Sequence, residues 1–251
     1  IEINTQLMEI KPERDTYLHF CRKIQRTPIS GEEFIPDLIP AELYRRFYSQ
    51  CEDAFLFESG SGPENTARYS FMGRSNKCFV EIKNGLGRVC DGESGEIKSH
   101  PPFFCLDRMR FDDNEASAID YISHFWGGWV GFIGYEMGHL FEKLAINRRN
   151  DLNLSDMYFV QVDRLFAYDH KTGILKYIVS AQTEGNPDSH YNQCVDEIRE
   201  IWNRHKNLSA DTAGDFHIGS ASKAKDRVSP IKFQTSVSQS EYIYMVMQAK
   251  R

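Results

Sequence analysis

The stretch Phe125-Trp126-Gly127-Gly128-Trp129-Val130-Gly131-Phe132-Ile133-Gly134-Tyr135-Glu136 constrains the fold of this chain more than any other. It is apolar and aromatic, and glycine recurs inside it. A strand with interior glycines loses packing and conformational entropy, so such a strand marks a place where another backbone comes close. The glycines at 128, 131 and 134 do not make G-x-G-x-x-G. No βαβ unit surrounds them and no Gly-Lys-Ser/Thr follows, which excludes a phosphate loop and a dinucleotide pocket. The stretch therefore predicts a buried core strand in a sheet protein.

The remaining elements agree with a sheet-rich fold. Ala54 to Ser59, Arg68 to Met72, Lys77 to Ile82, Gly87 to Cys90 and Ile174 to Val179 read as strands, and Met157 to Tyr168 as one long strand. Asn84-Gly85 is a hairpin signal. The strands follow one another through short turns, so they pair antiparallel. Helices are predicted over 12–26, from Pro40, over Met137 to Leu144, and from Asn186-Pro187, where Tyr191, Cys194, Val195, Ile198, Ile201 and Trp202 share one face. Residues 100–120 connect the strands and carry Phe103, Phe104, Leu106, Met109 and Phe111. The reading is α+β: antiparallel, sandwich-like sheets flanked by helices.

Three regions follow from this pass. Residues 1–206 form one domain. Residues 207–235 are poor in apolar residues and read as a flexible linker. Ser238-Gln239-Ser240-Glu241 matches a capping box and opens a further helix within 236–251. That helix reaches Arg251 without a stop signal, and the chain starts at Ile1 rather than Met. Both features read as cuts in a longer polypeptide.

Composition closes off several classes. Lys and Arg total 30 against 36 Asp and Glu, for a net charge of −6, and no basic block stands out. Nucleic-acid binding has no electrostatic footprint here. No apolar run approaches the length of a membrane span. The six cysteines do not fall into zinc spacings and read as reduced thiols. A cytoplasmic protein is the expectation.

Few residues suggest chemistry. Tyr135-Glu136 ends the glycine strand, and Glu136 reads first as a polar strand terminus and second as an acid. Asp163, Asp169 and His170 with the distant Ser59 invite a Ser-His-Asp reading, but nothing like G-x-S-x-G surrounds Ser59, so hydrolase chemistry is set aside. Glu58-Ser59 is followed by Arg68-Tyr69-Ser70-Phe71 on the next strand. By spacing alone this is first an ordinary cross-strand ion pair. It is second a pocket for a small zwitterion, with Glu58 or the Ser59 backbone on an ammonium and Arg68 on a carboxylate.

Taken in order, Phe55-Leu56-Phe57-Glu58-Ser59-Gly60, Ala67-Arg68-Tyr69-Ser70-Phe71-Met72-Gly73, Gly127 to Glu136, Phe141-Glu142-Lys143-Leu144 and Asp156-Met157 through Asp169-His170 form a set. With this set the chain resembles the N-terminal region of the large subunit of anthranilate and aminodeoxychorismate synthases. The resemblance runs over most of residues 50–180 and resumes from Ser236 to Arg251.

It implies replacement of a chorismate hydroxyl by an amino group, with ammonia from a glutamine amidotransferase partner and Mg2+ on the chorismate carboxylate. It also implies that the chorismate-binding catalytic domain begins near Ser236 and is almost wholly absent, with no catalytic residue and no metal ligand in this chain. Finally, it implies a tryptophan pocket at Glu58, Ser59, Arg68, Tyr69, Ser70 and Phe71. Tyr135-Glu136, Phe141 to Leu144 and Val162-Asp163-Arg164 resemble the aminodeoxychorismate side more than the anthranilate side. Isochorismate and salicylate synthases resemble the set less. The expectation outside this family is a free-standing amino-acid-binding or partner-binding module.

Overall fold

The computed structural model of the chain describes residues 8–24, 26–59, 67–92, 94–109, 119, 121–122, 124–142, 152–183, 185–211 and 235–250. They divide into two compact units, Ile1–Ala210 and Asp211–Arg251. Among the described residues no helix is long and apolar enough to cross a membrane.

The first unit holds two antiparallel sheets. One comprises β1 (Glu9–Lys11), β2 (Ile29–Phe34), β3 (Ala54–Phe57), β4 (Tyr69–Arg74), β10 (Arg164–Asp169) and β11 (Ile174–Val179). The other comprises β5 (Cys78–Lys83), β6 (Leu86–Asp91), β7 (Ile97–His100), β8 (Gly128–Ile133) and β9 (Met157–Val162). The spatial orders are β1-β2-β11-β10-β4-β3 and β7-β6-β5-β9-β8. Helices α1 (Arg14–Cys21), α2 (Pro40–Tyr48), α3 (Pro102–Arg108) and α4 (Pro187–Asp211) complete the unit, with a 3-10 turn over Tyr135–Leu140. The α+β reading with two helix-flanked antiparallel sheets holds.

The alternation of side chains along β10 shows why the layers stack. Phe166 and Tyr168 point to a core shared with Tyr17 of α1, Leu43 and Tyr48 of α2, and Cys194, Val195, Ile198 and Trp202 of α4. Leu165 and Ala167 point the other way, to Val130, Val160 and Val162 of the second sheet. Val80, Ile82 and Met157 meet Cys105 of α3 on that sheet's far side. The order is helices, sheet, sheet, helix, and β10 is buried on both faces. Each fully buried large side chain in these cores contributes about 1.5–3 kcal/mol.

Several expectations change. Met157 to Tyr168 is two strands in two sheets, β9 and β10, broken at Asp163. Its period-2 pattern continues through the break, so the sequence cannot show it. Long-range bonds hold the break: the Asp163 carbonyl accepts from the Ser180 amide at 2.7 Å and its carboxylate from Asn76 at 3.3 Å, with the neighbouring Arg164 paired to it at 3.0 Å. Asn76, in the crossing from β4 to β5, also bonds the Gln161 side chain at 3.1 Å. The two crossings between sheets are thus tied to each other.

The glycine strand β8 is an edge strand of the second sheet, not the buried core strand expected, and only Val130 in it is buried. Phe132 and Ile133 are exposed. The close approach read from its glycines is real. A Cβ on Gly131 would lie 2.0 Å from the Tyr158 carbonyl oxygen and 2.7 Å from the Phe159 Cα. The Asn84-Gly85 turn forms with φ of 51° and 73°, both left-handed, as this hairpin type requires.

Helix α1 is shorter than the predicted 12–26, and the 3-10 turn replaces the helix predicted from Met137, whose end at Lys143-Leu144 lies outside the described residues. Strand β2 had no clear signal. The connector resolves into β7's end and α3, while Phe111 lies outside the described residues. Helix α4 runs to Asp211, beyond the predicted linker start at Asn207, and residues 212–234 of that linker lie outside the described residues.

In the second unit, α5 (Gln239–Ala249) begins with the capping box read from sequence. Ser238 Oγ accepts from the Glu241 amide at 3.3 Å, and the Glu241 carboxylate accepts from the Ser238 amide at 2.8 Å.

Candidate functional site

Strands β3 and β4 pair with Phe57 opposite Phe71, and the alignment carries on past β3 so that Ser59 meets the start of β4. The Ser59 amide donates to Ser70 Oγ at 3.0 Å, and the Ser59 hydroxyl donates to the Tyr69 carbonyl. Ser70 is fully buried, and its hydroxyl lies 2.7 Å from His170 Nε2. These bonds fix the chain leaving β3 against β4 and the end of β10.

Arg68 is committed to Asp169. Its Nε lies 3.1 and 3.2 Å from the two carboxylate oxygens, and its Nη2 lies 2.7 Å from Oδ2. The fork-on-carboxylate geometry makes these the stronger class of hydrogen bond. Tyr69 pairs with Asp169 across β4 and β10, and the Arg68 carbonyl accepts from the His170 amide at 2.9 Å. Burial pushes the Asp169 carboxyl up. The Arg68 guanidinium, the Lys171 amide and the Thr172 hydroxyl outweigh burial and hold it below the ordinary carboxylate value.

Aromatic rings stand beside this pair. The Arg68 guanidinium lies 4.8 Å from the Tyr69 ring centre. Tyr69 and Phe71 stack at 5.9 Å, and His124 packs 4.9 Å from Tyr69 and 5.8 Å from Phe71. Burial lowers the His124 pKa, and its Nδ1 lies 3.0 Å from the Phe125 carbonyl. The result is an aromatic shelf with an ion pair at one end. Glu58 is exposed.

Of the residues singled out in sequence, Ser59, Arg68, Tyr69, Ser70 and Phe71 gather within this region; Glu58 is exposed and, with the register continued, lies opposite Ser70 rather than on the Tyr69–Phe71 face. Sequence reading missed what holds them. Asp169, a hundred residues from Arg68, is its partner, and His170 and His124 supply the neighbouring rings. The adjacent pair Asp169-His170 at a strand end was visible, but its assignment needed the β4–β10 register. No Ser-His-Asp triad forms, because the Asp169 carboxylate points to Arg68 and the hydroxyl that His170 meets is the fully buried Ser70. Glu136 pairs with Nε2 of His139 one turn on, as a strand-end carboxylate does. All six cysteines are free.

A metal is the remaining element that the sequence resemblance implies. Among the described residues no group of three or more His, Cys, Asp or Glu converges to hold one. No Mg2+ ligand is assigned among the described residues.

Comparison with known proteins places the chain. The family model described as "chorismate binding enzyme" matches residues 52–251. Anthranilate synthase component 1 of Acetivibrio thermocellus is 27% identical over 234 residues, covering 89% of this chain and 44% of that protein. Aminodeoxychorismate synthase component 1 of Bacillus subtilis (strain 168) is 25% identical over 167 residues, covering 64% of this chain and 34% of that protein. The probable chloroplastic aminodeoxychorismate synthase of Oryza sativa subsp. japonica is 29% identical over 174 residues, covering 62% and 19%. The crystal structure of anthranilate synthase component I from Streptococcus pneumoniae TIGR4 aligns with a TM-score of 0.44 at 20% identity, over 85% of this chain and 42% of that one.

The chain thus spans less than half the length of these relatives. One expectation fails. The chorismate-binding match begins at residue 52 and takes in β3 to β11 together with α5, so a chain that stops before a chorismate-binding domain starting near Ser236 is not supported. The motifs that carry the resemblance, from Phe55 to His170, all lie inside the matched range, so they belong to the chorismate-binding match and do not precede it. With four-fifths of its residues matched, this chain belongs to the chorismate-binding enzyme family.

Proposed function

We propose that this chain is part of a chorismate-aminating synthase of the aminodeoxychorismate type. The reaction replaces a chorismate hydroxyl with an amino group, and a glutamine amidotransferase partner supplies the ammonia. The observation that carries the reading is the family match over residues 52–251, joined to relatives named for chorismate amination. The aminodeoxychorismate choice rests on Tyr135-Glu136 and Val162-Asp163-Arg164. Anthranilate synthesis is the second reading, favoured by the larger share of this chain that aligns with the Acetivibrio protein.

The test is expression of the full reading frame, with chorismate and ammonium or with glutamine and an amidotransferase, and chromatographic identification of the product. Aminodeoxychorismate alone supports the first reading, and anthranilate alone the second. No consumption of chorismate under any condition sinks both. In this reading Mg2+ serves the whole enzyme, and no ligand for it is assigned among the described residues.

The strand-end site is proposed as a pocket for an aromatic amino acid, tryptophan first. The shelf of Tyr69, Phe71 and His124 suits an indole. Glu58 suits an ammonium. A ligand carboxylate at Arg68 competes with Asp169 for the guanidinium, so binding to this chain is weak. Calorimetry with tryptophan tests it. Ser59→Ala and Arg68→Ala are expected to weaken the signal at least fivefold, and unchanged affinity in both variants counts against the site.

A further inference from the structure

A cleft of about 670 Å³ opens where β4, α2 and α4 meet the start of β10, within the range of small-molecule sites. Phe47 and Tyr48 of α2 form an aromatic wall. Four cations line the same cleft: Arg74 at the end of β4, Lys77 in the crossing to β5, Arg164 at the start of β10 and Arg204 on α4. The Arg204 guanidinium lies 5.1 Å from the centre of the Phe47 ring. Arg74 and Arg204 also both act on the Tyr48 phenol. Burial pushes that phenol up, the Arg74 and Arg204 charges pull it down, and Cys51 and Glu197 push it further up.

The acids of the cleft are mostly spoken for. Glu197 accepts from Arg164 at 2.8 Å and from the Tyr177 hydroxyl at 3.1 Å. Asp163 is paired with the same Arg164 at 3.0 Å. Glu200, exposed on α4, is the remaining acid of the lining, against Arg74, Lys77 and Arg204. Among the described residues neither Arg74 nor Lys77 has an ion-pair partner. A local excess of positive charge in a chain of net charge −6 runs against the average surface. An aromatic wall beneath it offers a place for an apolar body.

We propose that this cleft binds a small organic anion, with its carboxylate or phosphate between Arg74 and Arg204 and its apolar part on Phe47. The site is separate from the Arg68–Asp169 shelf and does not depend on the chorismate reading. Arginine offers paired donors to either group, and the two sources share that chemistry.

The test titrates benzoate and, separately, inorganic phosphate into the 251-residue chain by calorimetry at low salt. Saturable one-to-one binding of either probe is expected, weakening as ionic strength rises. Arg74→Met and Arg204→Met should each weaken it at least tenfold, and Lys77→Met two- to fivefold. Arg74 and Lys77 are exposed, so their variants keep the fold, which melting curves verify. Benzoate without phosphate assigns an aryl carboxylate, phosphate without benzoate assigns a phosphate group, and either result supports the proposal. No saturable heat from either probe overturns it. So does full affinity in an Arg74→Met/Arg204→Met double variant, or loss of binding in Arg68→Met with Arg74→Met unaffected.

Discussion

Gly131→Ala is the most direct probe of why the glycine strand reads as it does. The added methyl would sit 2.0 Å from the Tyr158 carbonyl oxygen, 2.7 Å from the Phe159 Cα and 2.9 Å from the Phe159 ring. Ordinary carbon–oxygen contact is above 3 Å, so β8 must move about 1 Å away from β9 at its centre. Backbone atoms form two of these three contacts, so no rotamer change relieves them. Overpacking of this kind costs about 1–3 kcal/mol, and the six-residue β8–β9 ladder is strained as well, so about 3 kcal/mol is expected.

For a unit of this size each kcal/mol moves the melting temperature by about 2–4 °C, giving a drop of roughly 6–12 °C. Gly134→Ala is the internal control. Its added methyl meets the Asp156 carbonyl oxygen at 3.1 Å, a contact that a few tenths of an ångström relieves. Thermal unfolding followed by circular dichroism reads both, and amide exchange over Met157–Val162 reads the ladder itself. If Gly131→Ala melts within 2 °C of the parent, or Gly134→Ala melts lower than Gly131→Ala, the close-approach argument is wrong.

Three further expectations follow from single interactions. Asp169→Asn removes a forked ion pair in which Asp169 is 8% exposed and Arg68 is 40% exposed, so after discounting for solvent the loss is about 1–2 kcal/mol at neutral pH. The folded Asp169 carboxyl sits below its unfolded value near 3.9, so its contribution is present above about pH 4 and is lost as pH falls through the lower folded value. Denaturant unfolding of parent and variant should therefore converge below pH 4, and a constant gap down to pH 2 would count against the pair. Cys78 and Cys194 are pushed up to about 11 and about 12, chiefly by burial, and iodoacetamide at pH 8 should label both slowly, read by peptide mass spectrometry. Ser238→Ala removes one half of the α5 capping box at a cost of about 1 kcal/mol, which should appear as faster amide exchange in the first turn of that helix and no change in α4.

The sequence by itself determined the local elements whose signals are contained in a few residues. Alternation along the strands, the left-handed Asn84-Gly85 turn, the single apolar face from Tyr191 to Trp202 and the Ser238–Glu241 capping box all formed as read. Glycine spacing in β8 correctly announced a close backbone approach, because the absence of a Cβ is a property of the residue itself.

Only the tertiary structure decided which strands share a sheet. Asp163 ends β9 in one sheet and starts β10 in the other, and its bonds to Ser180, Asn76 and Arg164 reach up to 87 residues away in the chain. It also decided that β8 lies at an edge, since period and composition report which face is buried and not how many neighbours a strand has. The candidate site divides the same way. Ser59, Arg68 and Tyr69 could be read from one hairpin. Their partners Asp169, His170 and His124, and the meeting of Arg74, Lys77 and Arg204 in one cleft, depend on registers set by the whole core, which no local stretch encodes.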